Sequence, residues 1–315
     1  MKACLILNPA AGPRDFHRQL NKAVEHLRTR GWEVKLFETT EKGDAIHLAR
    51  GAADKGYDVA IAVGGDGTIN EVVNGLAGTD TALGIIPAGT ANVYAADVGI
   101  PIWNPLRPNA VRMAADIIDT GQRQKIDLGQ VELADGQKRY FFMWCGVGLD
   151  AAISQEVRTE DTRRLGMAAW VIAGVMVALN FMGTRGNVIL GNQNERKRVL
   201  WAIASNGQLY GRLWRIAPRA KMNDGILDLT VFEGYGVLST IRHLAGVTLG
   251  QYARDPTVHF YRGCSFAIET RKPLPVHVDA EPVGMTPVQI NVVPGHLNVV
   301  LPSKLPTHLF IGESH

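Results

Sequence analysis

Apolar positions in the first third of the chain follow two periods. Compact apolar runs at residues 4–7, 59–63 and 83–86, with a patterned stretch at 33–37, read as strands. Between them, Leu20, Ala23, Val24 and Leu27 recur at i, i+3, i+4 and i+7, the stripe by which a helix buries one face, and Gly31 ends that helix. Ile69, Val72, Val73 and Leu76 mark another helix, and a small one is predicted over 44–55. Strands alternating with helices imply a parallel sheet covered on both faces, whose ligands gather beyond the carboxyl ends of the strands.

The pattern changes after a turn-rich link at 101–108 and a helix through Val111, Ala114, Ala115 and Ile118 that Gly121 ends. Residues 126–133, an Asp135-Gly136 turn and residues 140–145 predict a hairpin, with further strands over 199–204, 227–232, 276–278, 288–293 and 297–301. The expected fold class is α/β plus β. A doubly wound parallel-sheet domain spans 1–126, an antiparallel β-sandwich domain spans 127–302, and 303–315 is a candidate to rejoin the first. A helical insert over 165–181, with Trp170, Met176 and the adjacent Met182, is apolar on almost every side. Core burial is the expectation for it, and an acyl-chain groove or membrane-docking surface is the alternative; it falls short of the roughly 20 residues a bilayer span needs.

Composition narrows the partners. With 315 residues and 46% hydrophobic content the chain can build two cores. Lys+Arg at 33 against Asp+Glu at 30 lacks the basic surplus of a nucleic-acid protein, so no nucleic-acid partner is expected. Cys4, Cys145 and Cys264 are far apart, which indicates neither a disulfide framework nor a thiolate zinc site and fits a reducing cytoplasm. The single lysine and short apolar run before Asn8-Pro9 do not make a secretory signal.

The densest chemistry lies where the strand at 59–63 meets its helix, in Gly64-Gly65-Asp66-Gly67-Thr68. Glycines let backbone N–H groups approach an anion and the helix adds the positive end of its dipole, a combination suited to phosphate. Asp66 fits there if a divalent cation, Mg²⁺, lies between its carboxylate and the phosphate oxygens. Two other strand ends carry turns of the same kind: Asn8-Pro9-Ala10-Ala11-Gly12, with Arg14 beyond it, and Pro87-Ala88-Gly89-Thr90-Ala91-Asn92. Gly146-Val147-Gly148-Leu149-Asp150-Ala151 formally matches the GxGxxA dinucleotide fingerprint but lies in the β-rich half, outside a βαβ unit. No P-loop, GxSxG or HExxH motif is present.

Together, NPAAG at 8–12, GGDGTINE at 64–71 and PAGTAN at 87–92 resemble the diacylglycerol kinase catalytic fold, shared with sphingosine and ceramide kinases. TTEKGDA at 39–45 is similar to a nucleotide-contacting stretch of the bacterial lipid kinases in this group, and NDGILD at 223–228 resembles their structural Mg²⁺ loop. The resemblance spans nearly the whole chain. It implies that Asn8, Pro9, Gly12, Arg14, Thr39, Gly64, Gly65, Asp66, Gly67, Thr68, Ile69, Asn70, Glu71, Thr90 and Asn92 form the ATP site, with Asp66 organising the catalytic Mg²⁺. It implies a second Mg²⁺ held by the Asp224 carboxylate and the carbonyls of Lys221 and Ile226, with Asp127 as support. Asp279-Ala280-Glu281 stands where the family often carries Asp-Gly-Glu, which makes Glu281 the base for the lipid hydroxyl and Asp279 its catalytic companion. Placed on a strand, the two acids would face one way; the other reading is a solvated hairpin. Ala280 departs from the family pattern, as does Val93, where relatives frequently carry Asp.

The implied activity is Mg²⁺-dependent transfer of the ATP γ-phosphoryl group to the primary hydroxyl of a diacylglycerol-like or sphingoid-like lipid, in a cleft between the domains. The partner is then a lipid at a membrane surface, reached from the cytoplasm with peripheral contact at the inner face, and a homodimer is compatible with this. Arg212, Trp214, Arg215, Arg219 and Lys221 are candidates to meet anionic headgroups there, with a solvated basic edge as the alternative. Two alternatives stand beside it: a soluble-substrate kinase of the NAD kinase or phosphofructokinase kind, and a catalytically silent nucleotide- or lipid-binding regulator.

Overall fold

The computed structural model describes residues 1–89, 91–156, 167–212 and 214–311. The chain divides into two compact units, one of Met1–Leu128, Met222–Asp224 and Pro294–His315, the other of Gly129–Lys221 and Gly225–Val293.

The first unit alternates β1 (Lys2–Leu7), α1 (Arg14–Thr29), β2 (Glu33–Glu38), α2 (Asp44–Asp54), β3 (Val59–Gly64), α3 (Asp66–Leu76), β4 (Ala82–Pro87), α4 (Val93–Asp97) and α5 (Ala110–Thr120). Its strands pair in parallel in the order β2-β1-β3-β4. Helix α1 packs against α5 and α2 against α3, the helical layers of a doubly wound sheet. β3 and β4 are buried along their whole length, which explains their unbroken apolar sequences. The strands end in register: Leu7 lies beside Glu38 and Val63, and Val63 beside Ile86. The loops after all four strands therefore emerge at one edge of the sheet.

The second unit is antiparallel, a β-sandwich. β5 (Gln122–Leu133) enters it and pairs with β6 (Lys138–Phe141). β7 (Trp144–Gly148) lies between β9 (Gln193–Ser205) and β15 (Pro275–Val278), which turns back into β16 (Glu281–Met285). β9 also pairs with β8 (Thr184–Leu190) and β12 (Leu227–Glu233), and β12 with β13 (Val258–Gly263). β14 (Ser265–Thr270) joins β8 to β17 (Val288–Leu301). Val131, Phe141, Val147, Val199, Leu229, Phe266, Val276 and Ile290 belong to its core. Helices α6 (Leu149–Glu156), α7 (Met167–Asn180) and α8 (Gly236–Thr248) complete it, with β10 (Leu209–Tyr210) and β11 (Trp214–Arg215) as a small ribbon.

Three expectations need correction. Residues 140–145 are not one strand; β6 stops at Phe141 and β7 starts at Trp144, because the amides between them bond to a side chain, Asp279, instead of a ladder. Residues 288–301 are one strand, continuous through Pro294 and Gly295, whose N–H donates to Asp127 Oδ1 at 2.7 Å. The apolar insert is not a core helix, and its first residues, 165 and 166, lie outside the described residues. α7 packs against α6 and α8, and among its described side chains Ile172, Val175, Met176 and Leu179 are exposed, with Met182 beyond its end. Among the described residues, no helix is long and apolar enough to cross a membrane.

Candidate functional site

The strand-end loops of the first unit are built around contact between two glycines. A Cβ on Gly65 would lie 3.2 Å from Gly89 Cα, and one on Gly89 would overlap Gly65 Cα, so the β3–α3 and β4–α4 loops meet backbone to backbone. Ala88 N–H donates to Gly64 O at 2.8 Å, extending the β3–β4 ladder into the same contact. α3 starts at Asp66 with no side-chain cap from Gly65, and space lies open above Gly67. The first-turn amides at Gly67 and Thr68 thus point along the helix axis with no capping side chain over them among the described residues, an arrangement that takes an anion.

Asp66 Oδ1 accepts the Val93 N–H at 2.8 Å, tying α3 to the start of α4. This contact uses the backbone, so Val93 supplies it without an Asp side chain; its own side chain is buried. Asn8 links the first loop to the second by donating from Nδ2 to Thr68 Oγ1 at 3.3 Å, while its Oδ1 accepts the Ala10 N–H. Pro9 and Arg14 are exposed at this end, Arg14 as the first residue of α1, and Gly12 turns the chain at φ 76°. Thr39 continues the edge with its N–H on Leu7 O.

Several expected ATP contacts have duties inside the scaffold. Glu71 accepts the amides of Gly43 and Ala45 at 3.0 and 3.3 Å and so caps α2. Asn70 is buried and receives Asn74 Nδ2 on Oδ1, and Ile69 is buried as well. Asn92, at φ 48°, folds its own loop by exchanging hydrogen bonds with the Gly89 backbone. Thr90 lies outside the described residues. Asp44, which sequence reasoning did not single out, shapes the 39–45 stretch: its Oδ2 accepts from Thr40 Oγ1, Thr40 N–H and Glu41 N–H, and these bonds hold its carboxyl below the usual range.

Lys221, Asp224 and Ile226 sit on a half-buried turn before β12. Asn223 fixes the turn by exchanging hydrogen bonds with the Ile311 backbone. Among the described residues no three His, Cys, Asp or Glu side chains cluster as a metal site, so a cation here would rest on one carboxylate and backbone carbonyls.

In the second unit, Asp279 and Ala280 form a two-residue turn between β15 and β16, with φ of 46° and 69° and Val278 opposite Glu281. They do not lie on a strand, and Asp279 is buried, so neither the shared strand face nor the solvated hairpin describes it. Its carboxylate accepts three consecutive amides, Phe142 at 2.7 Å, Met143 at 2.9 Å and Trp144 at 3.0 Å. Glu281 pairs with Arg139 at 2.9 Å, both side chains less than one-fifth exposed. Arg139 was not anticipated, because its partner is distant in sequence and the ion pair has no local signature. The GxGxxA stretch has a packing explanation: a Cβ on Gly146 would collide with Asp150 Oδ2 and His277 Nε2, and Gly148 turns the chain at φ 96°.

The profile of the diacylglycerol kinase catalytic domain matches residues 2–131, and that of the YegS C-terminal NAD kinase beta sandwich-like domain matches residues 144–301. The chain is 30% identical to a diacylglycerol kinase of Bacillus subtilis (strain 168) over 305 residues, covering 96% of this chain and 97% of the relative. It is 28% identical to one of Staphylococcus aureus (strain bovine RF122 / ET3-1) over 317 residues, covering 100% and 96%. A solved structure of a putative diacylglycerol kinase from Bacillus anthracis str. Sterne superimposes with TM-score 0.79 at 26% identity over 95% of both chains. With similarity running through both units, the chain belongs to the diacylglycerol kinase catalytic-domain family, and it is a kinase.

Proposed function

We propose that the protein transfers the γ-phosphoryl group of ATP to the primary hydroxyl of a diacylglycerol-like or sphingoid-like lipid. The observation that carries this is the sheet edge where Gly65 and Gly89 touch backbone to backbone, a contact that a Cβ on either would force apart, beside the open space above Gly67 at the start of α3. In this reading the amides of Gly67 and Thr68 hold phosphate oxygens, and the exposed Arg14 offsets their charge. A hard cation fits the oxygen of Asp66 at the same loop, and bound Mg²⁺ would supply charge neutralisation on the transferring group. Asp224 with the Lys221 and Ile226 carbonyls is the candidate for a second, structural ion. Glu281, aimed by Arg139, takes the proton of the attacking hydroxyl.

The lipid acceptor is supported by the relatives' names and by the exposed apolar side chains of α7, joined on α8 by Leu238 and Ile241. A peripheral helix face of this kind suits contact with a membrane from the cytoplasmic side. The NAD kinase-like description of the second unit's profile is what favours the rival soluble-substrate reading. Labelled ATP offered with diacylglycerol micelles, a sphingoid base, NAD and fructose 6-phosphate separates the two. Label in the lipid phase alone is expected; label in NAD or the sugar phosphate would replace the proposal.

A further inference from the structure

Beneath the Asp279-Ala280 turn lies a buried set of polar side chains to which the proposed reaction assigns no part. Asp150 and His277 are 4% and 1% exposed, and Asp150 Oδ2 accepts from His277 Nε2 at 2.8 Å. Tyr210 donates its hydroxyl to the same oxygen at 3.1 Å, and Ala151 N–H donates to Oδ1 at 2.8 Å. On the far side of the imidazole, Nδ1 accepts the Ala280 N–H at 3.1 Å. An amide can only donate, so Nδ1 carries no proton and the ring's hydrogen sits on Nε2, facing Asp150. Burial, reinforced by the Asp150 charge, pushes the Tyr210 phenol well up, so it remains a donor.

We propose that Tyr210, Asp150 and His277 are positioning residues: the carboxylate fixes the Nε2–H tautomer of His277, Nδ1 then holds the Ala280 amide, and that bond sets the turn from which Glu281 is aimed. Three features support this arrangement. Ala280 occupies a left-handed conformation, φ 69°, that a side chain disfavours, so the turn needs an external partner to hold it. Glu281 is the next residue, so a change in the turn passes directly to the direction of its side chain. Gly146 leaves just the room that the Asp150–His277 contact fills, and a Cβ there would occupy it. The GxGxxA stretch is then the seat of the relay: its first glycine admits the contact and its aspartate makes it.

The inference rests on Glu281 being the base, and the experiment keeps the two apart by including Glu281→Gln as a reference. Asn places its oxygen near the position of imidazole Nδ1, whereas Gln places its amide near Nε2. His277→Asn thus keeps the bond to Ala280, and His277→Gln keeps only the bond to Asp150. Asp150→Asn presents an amide to the ring and lets the tautomer reverse, as a triad aspartate does when so replaced. Lipid phosphorylation is measured for each variant with kcat and the KM for ATP resolved. Nitrogen-15 NMR of the wild-type imidazole reports the tautomer without any substitution. Expected are an unprotonated Nδ1, a fall in kcat of roughly 10- to 100-fold in Asp150→Asn and His277→Gln, as a misplacement of about 1 Å would cause, and an unchanged KM for ATP. His277→Asn should stay within about threefold of wild type, because its acceptor for the turn survives. A protonated Nδ1 in the wild-type protein overturns the proposal. So do equal losses in His277→Asn and His277→Gln, or losses that track unfolding and the ATP KM together. If Glu281→Gln is inactive while Asp150→Asn and His277→Gln turn over normally, the relay fails and the base stands; if Glu281→Gln turns over normally, the base assignment fails and the relay with it.

Discussion

Replacing Asp279 by Asn tests whether this residue holds the second unit together or does chemistry. Two carboxylate oxygens accept three backbone amides, two on Oδ1 at 2.9 and 3.0 Å and one on Oδ2 at 2.7 Å. An asparagine carbonyl can keep the pair from Met143 and Trp144. Its NH₂ would then face the Phe142 N–H, donor against donor, in a site only 7% exposed. The loss is one hydrogen bond to a charged group, about 1.5–3 kcal/mol, plus a buried amide left without an acceptor, about 1–3 kcal/mol. A cost of about 2.5–6 kcal/mol is a large share of the roughly 5–15 kcal/mol typical of a domain. Urea unfolding followed by tryptophan fluorescence measures it, since Trp144 lies at the clamp itself. A variant within about 0.5 kcal/mol of wild type that has nonetheless lost activity would refute the structural reasoning and return Asp279 to a chemical role.

Ala280→Gly should stabilise the second unit by about 0.5–1 kcal/mol, because relief of the left-handed strain exceeds the added entropy of the unfolded chain; a scanning melt showing no rise or a fall would contradict this. Gly89→Ala puts a Cβ against Gly65 Cα, backbone that no rotamer can clear, so the KM for ATP should rise at least about tenfold for an overpacking cost of roughly 1–3 kcal/mol; a KM within about twofold of wild type would remove these loops from the ATP site. In the first unit, the Trp32 indole N–H, opposed by desolvation and aided by Arg30, holds the Asp119 carboxyl below the usual range. A depressed native value contributes stability above the unfolded value, and this is lost as pH falls through the native one. Asp119→Asn should therefore be less stable than wild type at neutral pH, with the gap closing below the ordinary carboxylate range in urea melts run across pH; a gap constant with pH would contradict the assignment.

The first unit was legible because its strands are buried on both faces and read as plain apolar runs, while α1 and α3 carry clean helical stripes. Gly64 to Thr68 stood out for the same reason, a glycine cluster between two strong patterns. The second unit resisted reading where periodicity and burial part company. α7 is apolar all round in sequence yet leaves Ile172, Val175, Met176 and Leu179 exposed, α8 leaves Leu238 and Ile241 in solvent, and β13 and β14 alternate on a face that short windows do not register. The Asp279-Ala280 turn was hidden because its left-handed residues are not the Gly or Asn that usually announce one. The Asp150–His277 contact joins residues 127 apart, which no local pattern can reveal, although the glycine that admits it was visible as an unexplained motif.

The most direct measurement is a single-turnover transfer of labelled γ-phosphate from ATP·Mg²⁺ to diacylglycerol in mixed micelles, run with wild type, Asp66→Asn and Glu281→Gln after each is shown to be folded. Rapid label in the lipid is expected for wild type. Both variants should lose at least about 100-fold, with ATP affinity weakened only in Asp66→Asn. Label appearing at the wild-type rate in either variant, or none in the lipid with any of the three, would contradict the proposed roles.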